Sequence, residues 1–123
     1  DHIRFVGDAS HEEINRLYAE SAVAVVPSLY EGFGLPAVEA MAAGIPLVSS
    51  DGGALAEVVA DGGLVVPAGQ SDALAEALER VLTDLTLASA LGDQGRQRAE
   101  RHFCWSVCAQ QMVGQYRACV DAC

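Results

Sequence analysis

The sequence of 123 residues contains no lysine, so its seven cationic side chains are all arginines. With seventeen acidic residues, the formal charge is −10, and such a chain would repel a nucleic-acid backbone. No apolar run reaches the roughly 20 residues that a membrane helix needs, and no basic segment followed by an apolar stretch opens the chain. We therefore predict neither a membrane span nor a signal peptide, and we expect a cytoplasmic protein.

Cysteine is confined to the last twenty residues, as Cys104, Cys108, Cys119 and Cys123. Their spacing places them on one side of a single helix, which favours a packed stripe of small apolar side chains. A metal site fits less well, because two C-x-x-x-C pairs about three helical turns apart are too distant for one tetrahedral ion. Surface or redox thiols are a further alternative.

The pattern of apolar residues predicts alternating strands and helices. The predicted strands cover residues 3–6, 22–26, 45–49 and 64–66. The first predicted helix follows a capping box at 10–13, and the next two cover residues 36–43 and 55–60. A fourth begins at a cap formed by Ser71 and Asp72, and the last two cover residues 85–101 and 105–122. This order predicts a parallel α/β sheet with right-handed crossovers and helices on both faces.

Residues 1–123 are predicted to form one domain, and an incomplete one. Four strands are few for a doubly wound sheet, and the strand at 3–6 begins almost at the first residue. We therefore expect the chain to be truncated at its N-terminus. The strand at 3–6 would then be an exposed sheet edge, which favours self-association.

The loop at residues 28–36 is the strongest candidate for a binding site, because ligands of open α/β sheets bind at the carboxyl ends of the strands. Gly32 and Gly34 let the backbone approach a ligand closely. A helix that begins at Pro36 directs its free N–H groups and its positive dipole end toward the loop, which favours phosphate.

Glu31 and Glu39 lie on either side of this predicted phosphate site. Carboxylates beside a diphosphate are unfavourable unless each faces a neutral group, and sugar hydroxyls are neutral donors. A ribose and a hexose of one ligand would account for both acids. Alternatively, Glu39 only favours its helix N-terminus, and Glu31 is a solvated loop acid.

Residues 27–69, PSLYEGFGLPAVEAMAAGIPLVSSDGGALAEVVADGGLVVPAG, resemble the signature region of family 4 glycosyltransferases, which are retaining enzymes of the GT-B fold. Glu31 and Glu39 match the E-x7-E motif of that family, and the similarity extends to residues 3–7, 17–18 and 103–105. The resemblance implies the C-terminal half of a GT-B enzyme, a Rossmann-like parallel sheet flanked by helices. It implies a hexosyltransferase that uses a nucleotide-sugar donor.

By this resemblance, Glu31 is the catalytic residue that contacts the donor sugar, and Glu39 contacts the ribose. The backbone at Gly32, Phe33, Gly34 and Leu35 would bind the diphosphate or the sugar, and the loop after Gly7 would lie near the base. The family needs no metal, because protein cations stabilise the departing diphosphate.

The chain also departs from the family pattern. The first strands of this domain, with their arginine and lysine, and the N-terminal acceptor domain are expected to be missing. The final helix would have lost a partner with them. His2, His11 and His102 match no catalytic position and are interpreted as surface residues. We therefore expect that the isolated chain does not catalyse transfer.

Two other functions are compatible with parts of the sequence. Residues 32–37 formally read G-x-G-x-x-A with Asp51 after the next strand, as in dinucleotide-binding proteins, but five residues separate the first glycine from the preceding strand. The chain could also be a non-catalytic nucleotide-binding or interaction module derived from a glycosyltransferase. The sequence does not identify the sugar, the base or the acceptor.

Overall fold

A computed structural model describes residues 2–122, which form six α-helices and one parallel sheet of three strands. In chain order the elements are α1 (His11–Glu20), β1 (Ala24–Val26), α2 (Leu35–Ala43), β2 (Leu47–Ser50), α3 (Leu55–Val59), a 3-10 turn (Ala60–Gly62), β3 (Leu64–Val66), α4 (Ser71–Thr83), α5 (Leu85–His102) and α6 (Trp105–Asp121). The predicted α/β class and the alternation of strands and helices are confirmed.

The sheet has the order β1-β2-β3, and both strand pairs are parallel. Ala24 of β1 is paired with Leu47 of β2, and Val48 of β2 is paired with Leu64 of β3. Because all three strands run the same way, the loops that follow them meet at one edge of the sheet.

Helices cover both faces of the sheet, as the continuous apolarity of the strands predicts. Leu47 packs with α2 and α3 in one core cluster, whereas its neighbour Val48 packs with α4 in a second. Successive side chains of a strand point to opposite faces, so this one strand connects both clusters. Helix α5 supplies Leu91 to one cluster and Ala99 to the other.

The predicted strand at residues 3–6 is wrong, because this segment has no strand pairing and is exposed. Ile3 is 79% exposed and Phe5 is 94% exposed. An apolar run forms a strand only when a neighbouring strand accepts its hydrogen bonds. Among the described residues the edge strands are instead β1 and β3. Self-association stays a prediction, but no strand at 3–6 exists to mediate it.

The helix caps are partly as predicted. The hydroxyl of Ser10 accepts a hydrogen bond from the Glu13 amide at 3.2 Å, so α1 begins at the predicted capping box. The predicted cap of α4 by Ser71 and Asp72 is wrong, since both residues are already helical and Gln70 is the cap residue, without a side-chain cap bond. The extended backbone of Gln70 makes the helix start one residue earlier than the side-chain pattern indicates.

The cysteine stripe is not part of the core. Cys104 and Cys119 are exposed and Cys108 is half-buried, while Cys123 lies outside the described residues. The whole of α6 buries no residue, although it contacts α5. The expected packing of these cysteines is therefore wrong for the three described ones, because α6 has no contact as extensive as that with α5 within residues 2–122.

Candidate functional site

The loop after β1, residues 27–34, is joined through its backbone to the loop after β2, residues 51–54. The Ala54 amide donates to the Glu31 carbonyl at 2.9 Å, and Glu31 forms a parallel bridge with Gly53. A side chain at Gly53 would collide with the Glu31 backbone, so only glycine permits this close approach. The bridge fixes the peptide unit that carries one of the two predicted site carboxylates.

Side chains extend this connection to all three loops at the carboxyl edge of the sheet. The buried hydroxyl of Ser50, the last residue of β2, donates to the carbonyl of Ser28. Asp51 accepts a hydrogen bond from the amide of Ala68, in the loop after β3, at 2.7 Å. The edge where sequence analysis predicts a ligand is therefore a network of connected loops.

Glu31 is half-buried, and its side chain is held by a neutral donor. The hydroxyl of Ser28 donates to Oε1 of Glu31 at 2.9 Å. Within residues 2–122 the Glu31 carboxylate forms no salt bridge. An ionised carboxylate has about four acceptor positions, so Glu31 retains capacity for hydroxyl donors of a ligand. This arrangement does not support the alternative of a freely solvated loop acid.

Glu39 is exposed on the side of α2 that faces α1. The hydroxyl of Tyr18 lies 3.4 Å from Oε2 of Glu39 and 3.3 Å from the carbonyl oxygen of Pro36. Burial and the nearby Glu39 carboxylate raise the pKa of Tyr18, so its hydroxyl keeps its proton over a wider pH range. A surface cleft of about 420 Å³ lies beside Glu39 and Tyr18 and is also lined by His11 and Asn15.

The position of Glu39 bears on the alternative that it merely favours the start of its helix. Helix α2 begins at Leu35, and its first turn contains no acidic residue. The charge of a helix terminus acts mainly within the first turn, so Glu39 is too far along α2 for that role to explain it.

The start of α2 offers fewer free amides than a general helix N-terminus. Gly34 is the cap residue at φ 92°, without a side-chain cap bond, and its carbonyl accepts the Ala37 amide at 3.0 Å. Pro36 has no N–H. The helix itself therefore presents the amide of Leu35, and the other candidate donors belong to the loop residues Gly32, Phe33 and Gly34. The predicted cradle is mainly a feature of the loop.

An aromatic contact supports this loop from the other side. The rings of Phe33 and Phe103 meet edge to face, with centroids 5.8 Å apart. The Arg98 guanidinium lies 5.9 Å from the centre of the Phe103 ring and donates to the carbonyls of Glu57 and Val58, each at 2.7 Å. Thus Arg98 of α5 and Phe103, the residue after α5, connect the end of α3 to the loop.

Sequence reasoning identified no role for Tyr18, Ser28, Arg98 or Phe103. The resemblance includes Tyr18 and Phe103 but assigns them no contact. The close spacing of Ser28 and Glu31 is the only local pattern that could have predicted one of these contacts, since serine often bonds to a side chain or amide nearby in the chain.

The remaining predicted residues are less tied to this edge. Gly7 is exposed, and no other heavy atom lies within 4 Å of a Cβ built on it, so its place near the base of a nucleotide stays a prediction. His2, His11 and His102 are exposed, as expected. Within residues 2–122, no group of three or more His, Cys, Asp or Glu side chains is placed to hold a metal ion.

Residues 1–98 match the sequence profile of the family described as glycosyl transferases group 1. The chain is also 48% identical over 115 residues to the MMP alpha-(1->4)-mannosyltransferase of Mycolicibacterium hassiacum, a match that covers 90% of this chain and 28% of that protein.

Solved structures give the same result. The sucrose-phosphate synthase of Thermosynechococcus elongatus superposes with a TM-score of 0.85 at 43% identity, over 98% of this chain and 31% of the other. Anabaena HepE in complex with UDP superposes with a TM-score of 0.79 at 26% identity, over 86% of this chain and 30% of the other. The chain spans less than a third of the length of each relative. In the part of the chain that the structure describes, no helix is both long and apolar enough to cross a membrane.

Proposed function

This chain belongs to the glycosyl transferases group 1 family, and from that premise we propose that it is the part of a retaining GT-B glycosyltransferase that binds the nucleotide-sugar donor. The observation that carries the proposal is the arrangement at the carboxyl edge of the sheet. Glu31 lies in the loop after β1 and Glu39 lies in α2, on either side of the start of α2, where no side chain caps the backbone amides.

In this proposal the loop amides bind the diphosphate, and the carboxylates bind hydroxyls. Phe33 and Leu35 are exposed at the loop surface, 48% and 57% respectively, whereas Gly34 between them is buried, so the first two are the more accessible amide donors. Amides are suitable donors because the chain has no lysine and its overall charge is −10. The complex of HepE with UDP, a nucleoside diphosphate, supports this ligand class.

The two carboxylates have separate roles. Glu31 accepts hydrogen bonds from the donor sugar as the catalytic residue, since the Ser28 hydroxyl occupies only part of its acceptor capacity. Glu39 accepts hydrogen bonds from the ribose, beside the cleft of about 420 Å³ that has room for part of a nucleoside.

Sugar transfer itself is proposed for the full-length protein, because the chain spans less than a third of its relatives. The reaction is proposed to be independent of metal, with protein cations stabilising the leaving diphosphate. A cytoplasmic location is also part of the proposal.

Ligand-observed NMR of the purified chain tests the donor site. UDP-, GDP- and ADP-sugars are compared with NAD, on the wild type, Glu39→Ala and Glu76→Ala. We expect weak binding of one nucleotide sugar, weakened by roughly 10-fold to 100-fold in Glu39→Ala, because a hydrogen bond to a charged group contributes about 1.5–3 kcal/mol.

The control Glu76→Ala removes the same charge from an exposed position on α4 and should bind like the wild type. Binding of NAD alone at millimolar concentrations would contradict the proposal. So would equal losses in the two variants, because then only net charge would matter.

A further inference from the structure

Two serine hydroxyls are linked to the Glu31 carboxylate by successive hydrogen bonds. The hydroxyl of Ser50 donates to the carbonyl of Ser28, and the hydroxyl of Ser28 donates to Oε1 of Glu31 at 2.9 Å. Ser50 is 2% exposed, and its oxygen also lies 3.5 Å from the amide of Gly52. A buried hydroxyl at the end of β2 is thus connected through one residue to the site.

The neighbouring Ser49 shows that this connection is specific to Ser50. Ser49 is fully buried, and its hydroxyl donates to the carbonyl of Ser50 at 2.9 Å. Its hydrogen bond therefore stays within β2, and only the Ser50 hydroxyl reaches the loop. The two serines form a matched pair that differ in this contact.

Glu31 is held both at its backbone and at its carboxylate. The backbone of Glu31 is fixed by the Ala54 amide, and the Ser28 hydroxyl fixes the carboxylate. A glutamate side chain otherwise has several rotatable bonds, and a ligand would have to immobilise them on binding. A carboxylate that is already oriented loses less freedom when a sugar hydroxyl binds to it.

We propose that Ser28 is a positioning residue that orients Glu31 toward the sugar part of the donor, and that Ser50 holds Ser28 in place. The inference rests on the proposed function, since it presupposes that Glu31 contacts the sugar. It differs from a structural role in the loop, because a positioning residue affects only ligands that reach Glu31.

The test compares a nucleotide sugar with the nucleoside diphosphate that lacks the sugar. The probes are UDP-glucose with UDP and GDP-mannose with GDP, and the dissociation constants are measured by NMR titration of the purified chain. Glu31→Gln gives the effect of losing the carboxylate charge. We expect Ser28→Ala to weaken binding of the nucleotide sugar by about 5-fold to 10-fold. The dissociation constant of the nucleoside diphosphate should stay within about twofold of the wild-type value.

A conservative variant provides the rescue. Ser28→Thr keeps the hydroxyl and should restore most of the affinity for the nucleotide sugar. Ser50→Ala should have a smaller effect of the same kind, whereas Ser49→Ala should affect neither ligand. Thermal melts identify variants that do not fold, and if Ser50→Ala is one of them, the Ser28 variants decide the outcome.

The possible failures are distinguishable. If Glu31→Gln selectively weakens binding of the nucleotide sugar but Ser28→Ala does not, the positioning role is wrong and the proposed function stands. If Ser28→Ala weakens binding of both ligands equally, Ser28 only maintains the loop. If no nucleotide sugar binds, or Glu31→Gln changes nothing, the proposed role of Glu31 is wrong and the inference is wrong with it.

Discussion

Helices α2 and α6 show how differently two apolar segments of one chain can be used. Helix α2 has nine residues and buries four of them. Helix α6 has seventeen residues and buries none, with Trp105 90% exposed and Val120 73% exposed. Apolar composition alone therefore does not determine burial in this protein.

The difference arises from what each helix faces. Helix α2 packs against α5, α3, α1 and the sheet, so its apolar side chains are enclosed from several directions. Helix α6 contacts α5 and has no second neighbour of comparable extent within residues 2–122. The hydrophobic effect stabilises only surface that is removed from water, so the same residue type contributes unequally in the two helices.

The two methionines test this comparison most strongly. Met41 of α2 is fully buried, whereas Met112 of α6 is 53% exposed. Met41→Ala should lower the free energy of unfolding by about 2–5 kcal/mol, because it removes buried methylene groups and leaves a cavity. Met112→Ala should change it by less than about 0.5 kcal/mol. Urea unfolding followed by circular dichroism measures both, and similar losses would mean that α6 is covered in solution.

Alanine substitutions at two glycines should change the free energy of unfolding in opposite directions. Gly34 precedes α2 at φ 92°, and a Cβ there would lie 2.5 Å from Cδ2 of Leu55. Gly34→Ala should therefore destabilise by about 1–3 kcal/mol. In α6 nothing lies within 4 Å of a Cβ on Gly114, so Gly114→Ala should stabilise by about 0.4–1 kcal/mol. The same urea titrations measure both variants, and a destabilising Gly114→Ala would show that α6 has an unseen neighbour.

Two tyrosines make a finer comparison. The Tyr18 hydroxyl donates to Pro36 and Glu39 of α2, whereas Tyr116 of α6 is 63% exposed. Tyr18→Phe should lower the free energy of unfolding at pH 8 by up to about 1 kcal/mol. Tyr116→Phe should leave it unchanged, and equal effects of the two substitutions would contradict the assigned contacts.

The pH dependence of Tyr18 has a definite sign. Burial and the Glu39 carboxylate raise the pKa of Tyr18 in the folded protein. The folded state therefore holds the proton more tightly, and the contribution to stability is full below the unfolded pKa of about 10. It is lost as pH rises through the raised folded pKa. The difference in unfolding free energy between wild type and Tyr18→Phe should therefore be constant below the unfolded pKa and should shrink as the pH rises above about 10.

The smallest effect is expected for the exposed cysteines. Cys104→Ser and Cys119→Ser should each change the free energy of unfolding by less than about 0.5 kcal/mol, because both side chains are already exposed. In the native wild-type chain, a thiol reagent should modify Cys104 and Cys119 without prior unfolding. If the reagent modified Cys104 and Cys119 only after unfolding in urea, the prediction would be wrong and these cysteines would lie in an interface.

Much of the local structure was predictable from sequence. The strand at residues 64–66 has the predicted bounds, Ser10 caps α1, and α2 ends before Gly44. The two helix ends depend on residues that are close in the chain, and the strand at 64–66 has β2 as its partner. The strand at 3–6 was not predictable in this way, because a strand needs a pairing partner from elsewhere in the protein.

The candidate site likewise combines features set by residues close in the chain with contacts between residues far apart in it. By itself, the sequence determined the spacing of Glu31 and Glu39, the glycine-rich loop between them and the start of α2 at that loop, since all of these are local. Only the tertiary structure decided that Ser50 supports Ser28, that Phe103 supports Phe33 and that α6 stays exposed. The physical reason is that such contacts join residues far apart in the chain, and they form only where packing of the sheet and helices brings the surfaces together.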